Sequence, residues 1–224
     1  MKRDQSVLVT DFDGTITGKD FFRLAVERLL TPEDMAPWDA FLAGKTGHFA
    51  AVQMIFGKIR APESAVLALL DDMQPDPRMP EYVRALHDAG WRVVVASAGC
   101  EWYIRIILER LGVSGLEIHA NPGMYREGGP LEMSLPVGSP FYSPETGIDK
   151  EAIVRANMGG GPAGNVTVVY AGDGVTDVPA GLMLPPSRRF ARSDMAESLR
   201  RRGEGFRPFN VWSDVAEAIL KNTL

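Results

Sequence analysis

The sequence predicts an α/β protein: a parallel sheet covered by helices on both faces and interrupted by one all-helical insertion. Three observations predict it. Residues 6–10 (SVLVT), 91–96 (WRVVVA) and 166–170 (VTVVY) are short β-branched, aliphatic runs without the polar alternation of a half-exposed strand. Helix-like segments separate these runs, the pattern of βαβ units. Between the first two strands, residues 20–72 have helical texture over a length too great for one crossover helix.

Element by element, the first strand breaks at Asp11-Phe12-Asp13-Gly14-Thr15, where Gly14 suits a tight turn out of a strand. Phe21, Phe22, Ala25, Val26, Leu29 and Leu30 mark one helical face behind Asp20, a residue suited to cap it. Further helical pieces follow at 32–42, 48–59 and 62–70, each punctuated by proline or glycine. A helix at 82–89 closes at Gly90, the second strand follows, and another helix spans 102–111. Residues 116–136 read as a small hairpin turning at Glu127-Gly128-Gly129. Helices at 148–157 and 175–182 flank the third strand; Phe190-Ala191 and residues 209–211 read as short strands before a closing helix at 215–221. Residues 1–17 and 78–224 then make the α/β core, and residues 18–77 a helical cap. The strands at 6–10, 91–96 and 166–170 all end in small polar loops, DFDGT, SAG and GDGVTD. Ligands of open α/β sheets bind at that end.

Composition narrows the function. A net charge of −5 argues against a nucleic-acid footprint and against attraction to anionic lipid. An anionic substrate would need local positive charge. The single cysteine, Cys100, rules out an internal disulfide and a cysteine metal cluster, and reads as a small buried residue. The apolar run Val7-Leu8-Val9 is cut off by Asp11, too early for a signal-peptide core or a membrane span. A cytoplasmic monomer or homodimer, with no nucleic-acid or membrane partner, is the expectation.

Asp11 and Asp13 share one strand end, while Asp173 and Asp177 follow the third strand. Any one of them is equally at home capping a helix or filling a turn. Together they form carboxylate pairs at one end of a sheet, where like charges raise one another's pKa unless a cation compensates. Mg²⁺ takes one or two carboxylates plus substrate phosphate oxygens, which suits such a set.

Asp11-Phe12-Asp13-Gly14-Thr15 resembles the DxDx[TV] signature of the haloacid dehalogenase superfamily. Ser97 after VVVA resembles its second motif, Lys150 in GIDKEAIV its third, and Gly172-Asp173-Gly174-Val175-Thr176-Asp177 its fourth. The resemblance implies a Rossmann-like core and a Mg²⁺-dependent phosphatase acting on a small phosphorylated metabolite. In it, Asp11 attacks phosphorus to form an aspartyl-phosphate, and Asp13 protonates the leaving alcohol before activating water. Asp11, the Asp13 carbonyl and Asp173 hold the metal. Ser97, with Ala98, Gly99 and Thr15 beside the phosphate, binds substrate, Lys150 supplies positive charge, and Asp177 orients Lys150 or a metal-bound water.

The helical insertion is similar to the small caps of the phosphoserine phosphatase branch, in which an acidic residue and a cap arginine grip an amino acid. Asp20 stands at roughly that acidic position, or is only a helix cap; Arg23, Lys45 and Arg60 are the candidate cations. A closer likeness is to the methionine-salvage phosphatases that act on 2-hydroxy-3-keto-5-methylthiopentenyl-1-phosphate. It rests on DFDGTIT, on His119-Ala120-Asn121 and on GDGVTDVPAG, in which Pro179 departs from the usual residue at a tolerated first-turn position. Phe21, Phe22, Met54 and Phe56 either line a substrate pocket or form the cap's own core. A phosphoserine phosphatase or a phosphotransferase using the same intermediate, and a non-catalytic binding protein on this scaffold, are the alternatives. A dehalogenase would have no need of Asp13. Ala43-Gly44-Lys45-Thr46 is not a phosphate-binding loop, because Asp39 replaces its first glycine and a helix precedes it. Gly159-Gly160-Gly161-Pro162 reads as a turn, and His48, His87 and His119 as non-catalytic.

Overall fold

The computed structural model describes residues 6–158 and 166–223; the Gly159-Gly160-Gly161-Pro162 turn lies outside them. Strand β1 (Ser6–Thr10) leads into the helical insertion: α1 (Phe21–Leu29), a 3₁₀ turn at Pro32–Met35, α2 (Ala36–Leu42), α3 (His48–Phe56) and α4 (Glu63–Asp72). The chain continues through α5 (Met79–Asp88), β2 (Trp91–Cys100), α6 (Glu101–Arg110) and β3 (Glu117–Asn121). Two small antiparallel pairs follow, β4 (Gly123–Tyr125) with β5 (Leu131–Met133), and β6 (Tyr142–Ser143) with β7 (Gly147–Ile148). Then come α7 (Lys150–Met158), β8 (Val168–Gly172), α8 (Val178–Leu182), β9 (Arg189–Ala191), α9 (Ser193–Arg201), β10 (Arg207–Pro208) and α10 (Trp212–Leu220).

The main sheet is six-stranded, in the order β10-β9-β8-β1-β2-β3, and every pairing in it is parallel. The chain builds outward from β1 through β2 and β3 on one side, then returns to build β8, β9 and β10 on the other. The strand order therefore reverses at β1, and the crevice at its carboxyl end is where such sheets bind ligands. Alternation along β1 sends Val7 and Val9 into a cluster with α7, α8 and α9 residues such as Ile153, Ala180 and Met195. Leu8 faces the other way, into a larger cluster that takes in Phe21, Phe56 and Leu69 of the insertion and Trp212 of α10. Burial on both faces explains why β1 carries no polar alternation. Each large side chain buried in this way contributes roughly 1.5–3 kcal/mol.

The insertion leaves and rejoins the core through two adjacent segments. Gly18 N–H donates to Gln74 O and Lys19 N–H to Met73 O, both at 2.9 Å, and Thr17 bridges Pro75.

Several boundaries differ from those the sequence predicts. Strand β2 continues through Ser97, Ala98 and Gly99 to Cys100, with its register against β3 shifting between Ala96 and Cys100. The predicted hairpin at 116–136 holds only β4 and β5; residues 117–121 instead join the main sheet as β3, beside Val94, Val95 and Ala96. Pro122, which has no N–H to continue the ladder, ends that strand. The last short strand lies at Arg207–Pro208 rather than 209–211, because the Asp214 carboxylate takes the N–H groups of Asn210 and Val211 to open α10. Residues 175–182 open as a 3₁₀ turn at Val175–Asp177, and Pro179 falls in the first turn of α8. Lys45, after α2 and with no strand before it, is exposed, in keeping with the absence of a phosphate-binding loop there.

Candidate active site

Asp11 is the first residue beyond β1, and its N–H donates to Ala171 O of β8 at 2.9 Å, fixing it at the switch point. Lys150, the first residue of α7, reaches back beneath the sheet end. Its Nζ donates to Asp11 Oδ1 at 2.8 Å and to Asp177 Oδ1 at 2.6 Å, with all three groups buried. Asp177 Oδ1 also accepts from the Tyr170 hydroxyl at 2.6 Å, while its Oδ2 takes the N–H groups of Asp173 (3.1 Å) and Gly174 (2.8 Å). Four donors fix that carboxylate.

Carboxylate oxygens of Asp11, Asp173 and Asp177 converge within 4.8 Å of one another. Asp177 is saturated by its four donors, so Asp11 and Asp173 are the pair free to take a ligand. Asp173 Oδ1 accepts from Thr15 Oγ1 at 3.0 Å, and neither Asp173 Oδ2 nor Asp11 Oδ2 accepts from another side chain among the described residues. Burial, then the neighbouring Asp177 charge, pushes Asp11 up to about 7 despite the opposing effect of Lys150. Burial, Asp11 and Asp177 push Asp173 up to about 9. Burial pulls the Lys150 pKa down, but the two carboxylates outweigh it and leave the amine firmly charged. One amine thus faces three carboxylates, all with hard oxygen donors, and the set fits a divalent cation such as Mg²⁺. Gly14 makes the crowding workable: its φ is +71°, and a Cβ there would lie 2.2 Å from Asp173 Oδ2.

The family model of the haloacid dehalogenase-like hydrolases matches residues 8–181, a span that contains every one of these groups. The chain belongs to this family. Among relatives of this hydrolase is a 2-hydroxy-3-keto-5-methylthiopentenyl-1-phosphate phosphatase of Brevibacillus brevis, 27% identical over 214 residues that cover 91% of each chain. Solved structures share its fold. A substrate-bound phosphoserine phosphatase is similar with a TM-score of 0.63 at 16% identity, covering 98% of this chain and 99% of that one. The phosphoserine phosphatase of T. onnurineus is similar with a TM-score of 0.60 at 18% identity, covering 97% and 95%.

The remaining residues predicted for this hydrolase's site lie around the same cluster. Asp13 accepts from Tyr103 Oη at 2.7 Å and from the Phe21 N–H at 3.1 Å, and burial, with Asp20 nearby, holds its pKa well above the usual carboxylate range. Ser97 is buried and its Oγ accepts from the Gly99 N–H at 3.0 Å. The Ala98 carbonyl is held by Asn121 Nδ2 at 2.7 Å, which also donates to Thr146 O at 3.1 Å. Thr15, grouped with substrate contacts from sequence, has its hydroxyl on Asp173. Cys100 is buried, and burial raises its thiol to about 12, so it is no nucleophile at neutral pH.

Sequence reasoning missed Tyr103, Tyr170 and Arg192. Arg192 Nε donates to Gly14 O at 2.6 Å and Nη2 to Thr17 O at 2.7 Å, bracing the loop that carries Asp11 and Asp13. Nothing local marks it, since it follows a three-residue strand. Tyr170 had a signal: a hydroxyl in an otherwise apolar buried strand requires a buried partner.

On the insertion, Asp20 is the cap of α1, accepting from the Arg23 N–H at 3.0 Å. Phe21 and Phe56 are core residues, Phe22 is half-buried and Met54 is exposed. The candidate cations are otherwise engaged or exposed. Arg23 pairs with Asp194 at the surface, Arg60 donates to the Gly57 and Ile59 carbonyls, and Lys45 is exposed. Half-buried Phe22, Trp38, Phe41 and His48 form a continuous aromatic set instead, with neighbouring ring centroids 4.6–5.9 Å apart. Burial and the charge of Lys150 lower the His48 pKa, so its imidazole is neutral at pH 7.

Proposed function

We propose that the chain is a Mg²⁺-dependent phosphomonoester hydrolase working through an aspartyl-phosphate on Asp11. The observation that carries this reading is Lys150 bridging Asp11 and Asp177 at the sheet's switch point, beside a third carboxylate, Asp173, with a free oxygen. Asp11 and Asp173, with the Asp13 carbonyl, would hold the cation. When bound, it neutralises charge on the phosphoryl oxygens and keeps Asp11 ionised. Lys150 fixes Asp11 so that its free oxygen faces phosphorus, and Asp177 fixes Lys150. Asp11 forms the new bond to phosphorus while Asp13, still protonated, delivers its proton to the departing oxygen. Asp13 then takes a proton from the water that cleaves the acyl phosphate. Ser97 and the N–H groups near it hold phosphate oxygens. Residues 18–77 act as the cap, closing over this end of the sheet and reading the leaving group.

For the leaving group, we favour an uncharged, apolar alcohol or enol over an amino acid. An amino-acid carboxylate needs a cation in the cap, and the described lysines and arginines of α1 to α4 and their loops are exposed or already paired. The aromatic set with a neutral imidazole suits a thioether-bearing carbon chain. The Brevibacillus relative supports 2-hydroxy-3-keto-5-methylthiopentenyl-1-phosphate as the substrate. A panel of phosphomonoesters assayed with and without Mg²⁺ tests both parts. The reading expects metal-dependent release ranking that enol phosphate above phosphoserine; metal-independent release, or phosphoserine ranking first, contradicts it.

A further inference from the structure

We infer that Tyr103 is a positioning residue for Asp13, clamping it together with the first residue of the inserted helices. The inference rests on the phosphatase reading with Asp13 as its acid. The Tyr103 hydroxyl, from α6, holds Asp13 Oδ2 at 2.7 Å, and the N–H of Phe21, which opens α1, holds Oδ1 at 3.1 Å. One clamp comes from the α/β core and the other from the insertion. They are joined: the Tyr103 and Phe21 rings stack with centroids 4.5 Å apart and planes 19° apart, and both side chains are fully buried. Strand β2 leaves room for this bond, since a Cβ on Gly99 would fall 2.0 Å from Tyr103 Oη and 2.6 Å from Asp13 Oδ2. Gly99 reads in sequence only as part of a phosphate loop; in the fold it is also the gap through which the phenol reaches the acid.

The chemistry follows from the lone pairs. A carboxyl group accepting one fixed donor on each oxygen cannot rotate, and its transferable proton occupies one of the remaining positions. As the bond from Asp11 oxygen to phosphorus forms, the bond from phosphorus to the leaving oxygen breaks. That oxygen keeps the bonding pair and takes the proton from Asp13, whose own O–H pair stays on the carboxylate. Tyr103 exchanges no proton with the substrate. It fixes the direction in which Asp13 delivers one, and it does so only while α1 stays seated on it.

Leaving-group dependence tests this, because a p-nitrophenolate departs without help and an alkoxide does not. The values to compare are kcat/KM for an alkyl phosphate and for p-nitrophenyl phosphate, since these report only the steps up to acyl-phosphate formation. Tyr103→Phe removes one oxygen and keeps the stacked ring, and a melting curve checks that the fold is intact. Its alkyl-ester kcat/KM should fall roughly ten- to a hundredfold, the scale of one hydrogen bond to a reacting group, while the nitrophenyl ester changes by less than about threefold. In an Asp13→Asn background the same substitution should add nothing. An equal change on both esters, no change on either, or a further alkyl-selective loss on top of Asp13→Asn would overturn the role. A wild-type enzyme that turns over neither ester with Mg²⁺ present would instead remove the phosphatase reading beneath it.

Discussion

At the scale of single residues, the site is organised by one buried amine. Lys150 bridges two carboxylates, and Asp177 is held by three further donors, so the amine cannot swing away from Asp11. Lys150→Arg should therefore not rescue: a planar guanidinium cannot replace a point charge seated between two carboxylates. Its kcat should fall by roughly a hundredfold or more, which steady-state assay would show. Asp177→Asn should leave four donors competing for one oxygen and cost roughly 3 kcal/mol of stability, read as a lower urea midpoint. Asp11, Lys150, Asp173 and Asp177 were all legible in the sequence, because each follows a strand end or opens a helix in a recognisable motif. Tyr103 and Arg192 were not. Their partners, Asp13 and the Gly14 and Thr17 carbonyls, are distant in sequence, and neither side chain belongs to a local pattern.

At the scale of elements, the decisive feature is the turn out of β1. Gly14 combines a positive φ with the absence of a Cβ at the spot where Asp173 Oδ2 approaches. Gly14→Ala should abolish activity by displacing Asp173 or the loop, while the buried β1 keeps the protein folded; assay beside circular dichroism separates the two. The parallel strands were legible because burial on both faces writes an uninterrupted apolar run. Strand β3 was not. Its residues, Glu117 to Asn121, carry two polar side chains before Ala120, so an edge strand half-open to solvent reads like one arm of a hairpin. The helices of the insertion were legible by period and punctuation, but their orientation was not: Phe21 turns into the core beside Tyr103, while the next residue, Phe22, joins the aromatic set.

At the scale of the whole molecule, three carboxylates facing one amine make stability depend on pH. Asp11 is raised to about 7 and Asp173 to about 9, both above their range in the unfolded chain. The native state thus keeps protons that the unfolded state has released, so the metal-free protein loses stability as pH rises from about 4 through these values. Mg²⁺ held by these carboxylates would favour their ionised forms, so a rise in melting temperature on adding it should be larger near about pH 8.5 than near about pH 6. A rise that is equal at both, or larger at the acidic one, would argue against Asp11 and Asp173 as the cation's ligands. No described helix is long and apolar enough to cross a membrane.

If Asp11 makes the bond to phosphorus, Asp11→Asn removes the nucleophile. That variant keeps the size of the side chain and one oxygen for Lys150. With Mg²⁺ present and its fold verified by melting, it should release phosphate from the best substrate at least about a thousandfold more slowly than wild type. Turnover within a few-fold of wild type would mean that a group other than Asp11 attacks phosphorus.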